Sequence, residues 1–276
     1  MGHSLQLAHQ IKGKEVLIIG GGKVCITRLK KLLPAGSKIT LVSTEVDPKI
    51  LNNDYFPSNL MNKEGNTKRE YTNMNWDKKE KTQIFKIIRT EYKEEYLTID
   101  DHDNKNGWNL ILVCISSFEI SEKIYWKAKE IFGSQQLINV ADKPSLCDFF
   151  FGANLDLEGG LQLMVSSNGI SPTLGGLMRD EINRHFASLN FEVIMEKLAN
   201  LRFGIRELTT NPDGEDEPQV IAYRMTWIKT VTDIFGLKYC ENINVPKLLE
   251  LFEKMQHDDY SLSFGDAQEF ITKYTL

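Results

Sequence analysis

From residue 14 to about residue 150 the chain alternates short apolar, β-branched runs with stretches whose apolar residues recur at helical spacing. A strand buried on both faces reads as a near-continuous apolar run, and a covering helix reads with a period of 3.6. The pattern predicts a parallel sheet with helices on its faces. Its strands are expected at 15–19, 38–42, 83–88, 108–115 and 136–140. The polar stretch 44–80, rich in Asn, Lys and Asp, is expected to be a partly helical surface excursion without chemistry. After Pro144 the alternation stops, and 148–155 and 161–165 read as two strands joined by a turn at Glu158, Gly159 and Gly160. Beyond Pro172 the pattern is helical, and Trp227, Ile228, Val231, Ile234 and Phe235 form one apolar stripe. The acidic stretch 209–218, with its Pro and Gly, reads as a loop between helices. The expected organisation is α/β: a sheet domain over 1–146, a strand-and-helix segment over 147–190 and a small helical domain over 191–276.

Composition narrows the function classes. With 276 residues and 41% hydrophobic content the chain can build its core without staples. Cys25, Cys114, Cys147 and Cys240 are far apart and form no C-x-x-C pair, which fits a reducing, intracellular compartment. A net charge of −5 gives no overall pull toward nucleic acid or an acidic membrane surface. No apolar run approaches the ~20 residues that span a bilayer, and the start lacks the apolar region of a signal peptide. A cytoplasmic protein is expected.

Candidate chemistry begins where the apolar strand Val16, Leu17, Ile18, Ile19 runs into Gly20, Gly21 and Gly22, and a helix follows whose buried face is Cys25, Leu29, Leu32 and Leu33. In such a strand, turn and helix the first glycine permits the tight turn, and Gly22 lets the backbone approach a pyrophosphate. The helix N-terminus offers free N–H groups and a positive dipole end to the phosphates. Cys25 stands where the fingerprint has its third glycine. The second strand ends at Ser43, near the position where an NAD enzyme places an acid for the adenine ribose, with Glu45 two residues on. No arginine stands next to Ser43 in the sequence to hold a 2′-phosphate, which favours NAD over NADP. Tyr92 and Leu97, after the third strand, either cover the adenine side of the cleft or pack in the core.

The fifth strand ends in Asn139, Val140, Ala141, Asp142, Lys143 and Pro144. Ligands of open parallel sheets bind beyond the carboxyl ends of the strands, so Asp142 either faces a ligand or opens the turn before Pro144. Further on, Ser171 and Pro172 read as the N-cap and first residue of a helix. Gly175 and Gly176 in its first turn suggest that a ligand or a partner subunit comes close to that backbone.

Taken together, the run Ser4 through Gly22, the stretch Gln136 to Gly152 with its run Asn139 to Pro144, and the turn Ser166 to Pro172 resemble the fungal bifunctional precorrin-2 dehydrogenase and sirohydrochlorin ferrochelatase family of sirohaem synthesis. The resemblance spans essentially the whole chain, and Cys25 is its main departure, because the family pattern has glycine or alanine there. It implies an NAD-binding Rossmann-type domain, a middle dimerisation segment, a helical C-terminal domain and a homodimer. It further implies NAD-dependent oxidation of precorrin-2, a tetrapyrrole, to sirohydrochlorin, followed by insertion of ferrous iron. On that reading Gly20, Gly22, Lys23, Val24, Ser43 and Tyr92 hold NAD, and Asp142 is the catalytic carboxylate. Lys143, Ser171, Arg179 and Arg184 are candidate partners for the substrate's carboxylates. His3, His9, His102, His185 and His257 show no ligand spacing, so iron is expected as a substrate, held at most transiently by Asp142. A monofunctional dehydrogenase and a non-enzymatic NAD-sensing regulator are the alternatives. The regulator would need a basic DNA-reading helix, and none stands out in this acidic chain.

Overall fold

The structure is a computed structural model that describes residues 4–52, 54–57, 69–78, 83–98, 107–210 and 216–276. The chain divides between Phe151 and Gly152 into two compact units.

The first unit is a six-stranded sheet built from β1 (Glu15–Gly21), β2 (Lys38–Val46), β3 (Glu70–Thr72), β4 (Lys86–Ile88), β5 (Leu110–Val113) and β6 (Ile138–Val140), in the order β3-β4-β2-β1-β5-β6. All neighbours are parallel except β3, which runs antiparallel on the β4 edge. α1 (Lys23–Leu32) follows β1, and α2 (Phe118–Phe132) follows β5. Strand β1 explains why the apolar run is unbroken. Val16 and Ile18 pack with Cys25, Leu29 and Leu32 of α1, while Leu17 and Ile19 pack with Ile124 and Ala128 of α2. Each such buried side chain contributes about 1.5–3 kcal/mol, so a strand covered on both faces has no tolerance for a polar position. Helix α2 is capped by Ser117, whose side chain accepts from the Ile120 N–H, and stops at Gly133 in a left-handed conformation.

Two expectations change here. Within the stretch read as a surface excursion, the edge strand β3 carries Tyr71 into the core at 4% exposure. A three-residue strand shows no periodicity to detect. The strand expected at 148–155 starts only at Ala153. Its first residues instead lie back along β6: the Ile138 N–H donates to Asp148 Oδ2 at 2.8 Å, and Asn139 Nδ2 donates to the Phe149 carbonyl at 2.8 Å. Phe149 and Phe151 then join the α1 side of the core, with the Arg28 guanidinium 4.8 Å from the Phe151 ring.

The second unit opens with the antiparallel hairpin β7 (Ala153–Asp156) and β8 (Gln162–Val165), as expected in type. Five helices follow among the described residues: α3 (Pro172–Phe186), α4 (Phe191–Thr209), α5 (Pro218–Tyr239), α6 (Val245–His257) and α7 (Ala267–Tyr274). Side-chain caps at Ser171, Asn190, Asn244 and Asp266 start four of them. The α5 stripe is as anticipated, with Trp227, Val231 and Phe235 buried against Leu201, Ile205, Leu248 and Phe252, and Ile228 and Ile234 at its margin. Among the described residues no helix is long and apolar enough to cross a membrane.

Candidate active site

The sheet register aligns the carboxyl ends of the strands in one row. Ile19 of β1 pairs with Val42 of β2 and Val113 of β5, Val42 pairs with Ile88 of β4, and Val113 pairs with Val140 of β6. One position further along come Arg89, Cys114 and Ala141, just past the ends of β4, β5 and β6, whereas β2, expected to end at Ser43, continues to Val46, and the β1–β2 register shifts at Gly20 so that Gly21 pairs with Val46. Arg69 extends the row at the edge, because the Arg89 N–H donates to the Arg69 carbonyl at 2.6 Å. Adjacent strands lie about 4.8 Å apart, so Arg89 and Ala141 each stand roughly 10 Å from Gly20, on opposite sides. The order of strands reverses between β2 and β5 on the two flanks of β1, and a crevice opens at such a point in doubly wound sheets.

The three glycines do different work. Gly20 has φ +102, and a Cβ there would lie 2.6 Å from the Cys114 carbonyl oxygen. Gly21 is equally closed, since its Cβ would meet the Glu45 carbonyl oxygen at 2.8 Å. Both backbone groups of Gly21 are used by the end of β2: its N–H donates to Ser43 Oγ at 2.9 Å, and its carbonyl accepts from the Asp47 N–H at 2.8 Å. The Ser43 hydroxyl donates in turn to the Glu45 carbonyl at 2.6 Å. Gly22, in contrast, faces open space. It is the N-cap of α1 without a side-chain cap, and its carbonyl receives the first helical bond from the Ile26 N–H. The N–H groups of Lys23, Val24 and Cys25 therefore lead the helix without intrahelical partners. A closed turn that ends in an open, uncapped helix start is a cradle for a pyrophosphate, and the dinucleotide fits here. Cys25 is fully buried, and burial pushes its thiol far above the usual range. It acts as a small packing group in the place of the third glycine.

Tyr92 follows β4 and is half-buried on the α2 side of the core. Its hydroxyl is buried and has no hydrogen-bond partner among the described residues. Burial, with the charge of Glu94 adding, raises its pKa to about 12. Leu97 is different: it is fully buried and its carbonyl accepts from Trp108 Nε1 at 2.9 Å, so it belongs to the core and covers no cleft.

At the other flank the Ala141 N–H donates to the Val113 carbonyl, and Asp142 follows, exposed, with φ +59. Aspartate tolerates this left-handed region better than most residues. The turn is closed by the Lys143 N–H to the Val140 carbonyl at 3.3 Å and clamped by the Cys147 thiol, which donates to the carbonyls of Val140 and Lys143. Asp142 thus shapes a turn and also presents a carboxylate at a strand end. Beside it, Lys143 Nζ lies 4.1 Å from the Phe118 ring centroid.

In the second unit Ser171 caps α3: its Oγ accepts from the Leu174 N–H at 3.3 Å. Gly175 is buried with the Val165 carbonyl oxygen 3.6 Å from its would-be Cβ, so the hairpin is what comes close to it, while Gly176 faces open space. Arg179 is paired with Asp180 and Arg184 with Glu181. These are exposed pairs of little strength, which a ligand carboxylate can replace. Among the described residues no three His, Cys, Asp or Glu side chains gather as a metal cage. Linear reading missed Arg28 of α1, whose Nε is buried without a partner among the described residues, because only the return of 147–151 along β6 sets the Phe151 ring against it.

Comparison with known proteins divides the chain consistently with this layout. The NAD(P)-binding family model matches residues 7–153, the model described as sirohaem biosynthesis protein central matches 158–185, and that described as sirohaem biosynthesis protein C-terminal matches 189–261. A siroheme biosynthesis protein of Saccharomyces cerevisiae is 44% identical over 279 residues, covering 98% of each chain. The siroheme biosynthesis protein of Schizosaccharomyces pombe is 29% identical over 92% of this chain and 81% of its own. Among solved structures, SirC, precorrin-2 dehydrogenase, shares the fold with a TM-score of 0.58 at 19% identity, covering 91% of this chain and 100% of its own. With identity at this level along its whole length, the chain belongs to the sirohaem biosynthesis protein family.

Proposed function

We propose that the protein oxidises precorrin-2 to sirohydrochlorin with NAD and then inserts ferrous iron to give sirohaem, with both reactions at the Asp142 end of the strand row. The observation that carries this reading is full-length identity of 44% to a sirohaem biosynthesis protein, combined with an open phosphate cradle at the end of β1 and an exposed carboxylate after β6, two strands away at the same edge of the sheet. Gly20 and Gly21 set the turn, the N–H groups of Lys23 and Val24 bind the phosphates, and Ser43 and Tyr92 lie toward the adenosine side. Bound NAD supplies the hydride acceptor. Asp142 takes up the proton that leaves when precorrin-2 gives up a hydride, and later the pyrrole N–H protons that ferrous iron displaces. Lys143, Ser171, Arg179 and Arg184 are the proposed donors to the substrate's carboxylates.

The same reading makes the protein a homodimer in the cytoplasm, with 147–190 as the contact segment. Ile170, Leu174, Leu177 and Met178 at and along the start of α3 are 49–71% exposed, an apolar face that a second copy would cover. The test is to incubate purified protein with precorrin-2, with and without NAD and ferrous iron, while recording absorbance spectra. Conversion to sirohydrochlorin only with NAD, and to sirohaem only on adding iron, supports the reading. No spectral change with NAD present overturns it.

A further inference from the structure

Arg28 is a cation without a counter-charge. It lies on α1, half-buried, with its guanidinium carbon 4.8 Å from the centroid of the Phe151 ring. Its Nε is buried without a hydrogen-bond partner, and no acidic side chain among the described residues pairs with it. A charge drawn partly out of water is costly unless it is paired, so the free protein carries a cost that a bound anion removes.

Two thiols fix where this guanidinium stands. Cys114 follows β5 at its carboxyl end and packs on the α1 face of the sheet. Cys147 bridges to Asn139 of β6, and its Sγ closes the Asp142 turn, 3.1 Å from the Val140 carbonyl oxygen and 3.2 Å from that of Lys143. Burial raises the pKa of both thiols, and the Arg28 charge opposes the rise at each, at Cys147 after the Val140 hydrogen bond. Long side chains on a helix lean toward its N-terminus, so Arg28 reaches from α1 back toward the open start at Gly22. It therefore stands on the α1 flank of the crevice, on the β5–β6 side where Asp142 is presented. The other proposed arginines are exposed, and they must leave Asp180 and Glu181 before they can bind a ligand. Arg28 has no acid to give up, and its fork matches a carboxylate. We infer that Arg28 binds a side-chain carboxylate of the tetrapyrrole and so holds the macrocycle beside Asp142.

The inference rests on the tetrapyrrole reading of the proposed function, and the experiment separates the two. The parent, Arg28→Met, Arg28→Gln and Arg28→Lys are compared as full chains. The urea midpoint, NAD affinity by calorimetry, and KM and kcat for precorrin-2 with NAD are measured. Quenching of the fluorescence of uroporphyrin, a porphyrin rich in carboxylates, reports binding without turnover. Arg28→Met should keep or raise the urea midpoint, because it removes an unpaired charge and keeps apolar packing on Phe151, and it should leave NAD affinity near normal. Its KM for precorrin-2 and Kd for uroporphyrin should rise roughly 10- to 100-fold with kcat little changed. Arg28→Lys should recover part of that loss, and Arg28→Gln carries the same comparison should Arg28→Met fail to fold. An unchanged KM and Kd in the uncharged variants overturns the inference alone, whether the midpoint falls, as for a purely structural arginine, or NAD affinity falls, as for an arginine on the dinucleotide. A parent that neither binds uroporphyrin nor converts precorrin-2 overturns the proposed function and this inference together.

Discussion

Ser43 Oγ accepts the Gly21 N–H at 2.9 Å and donates to the Glu45 carbonyl at 2.6 Å, so one hydroxyl in the second half of β2 locks the glycine turn of β1. Ser43→Ala leaves the buried Gly21 N–H without that partner, at a cost of about 1–3 kcal/mol. The expected outcome is a lower urea midpoint and weaker NAD binding together. An unchanged midpoint would mean that the turn holds itself.

Gly22 and Gly20 should respond oppositely to substitution. Gly22 is an exposed N-cap with open space around it, and aspartate is a better N-cap than glycine. Gly22→Asp should therefore fold with equal or slightly higher stability yet lose NAD, because its carboxylate occupies the helix start and repels phosphates. Gly20→Ala places a methyl 2.6 Å from the Cys114 carbonyl oxygen at φ +102 and should destabilise the fold. Thermal denaturation with calorimetry of NAD binding checks both.

Tyr92 carries a buried hydroxyl with no partner among the described residues. Tyr92→Phe should leave the free protein as stable or more so, since no hydrogen bond is lost, while weakening NAD if the hydroxyl bonds the cofactor. The pH dependence has a definite sign. With its pKa raised to about 12 in the fold, Tyr92 keeps its proton where the unfolded chain loses it, so its contribution is present below pH 10 and declines between pH 10 and 12. Urea denaturation across that range should show a shallower decline in the Phe variant.

The apolar face of α3 predicts a dimer. Leu174 and Leu177 are 55% and 62% exposed, so Leu174→Arg with Leu177→Asp should fold normally and run as a monomer by light scattering, where the parent runs as a dimer. A parent monomer at micromolar concentration contradicts the assignment.

Much of this molecule was legible in the sequence because its strongest signals are local. The run Val16 to Ile19 must be buried on both faces, the glycines must turn, and Ser171 with Pro172 must start a helix. Weak signals failed where pairing decides structure. Tyr71 forms an edge strand only because Ile87 offers it a partner, and Asp148 turns back onto β6 because the Ile138 N–H needs an acceptor. Arg28 was hidden for the same reason: the ring it meets, Phe151, reaches α1 only because the chain turns back along β6.

The central claim is that one carboxylate, Asp142, serves both reactions, and Asp142→Asn tests it most directly. Asparagine shares the tolerance for φ +59 and the size of the side chain, so the turn should persist, but it cannot accept a proton. NAD affinity, dehydrogenation of precorrin-2 and iron insertion into sirohydrochlorin are measured on the same preparation. The account predicts near-normal NAD affinity with both rates reduced by ~10²- to 10⁴-fold. Full iron insertion with dehydrogenation lost, or full activity in both, would contradict it.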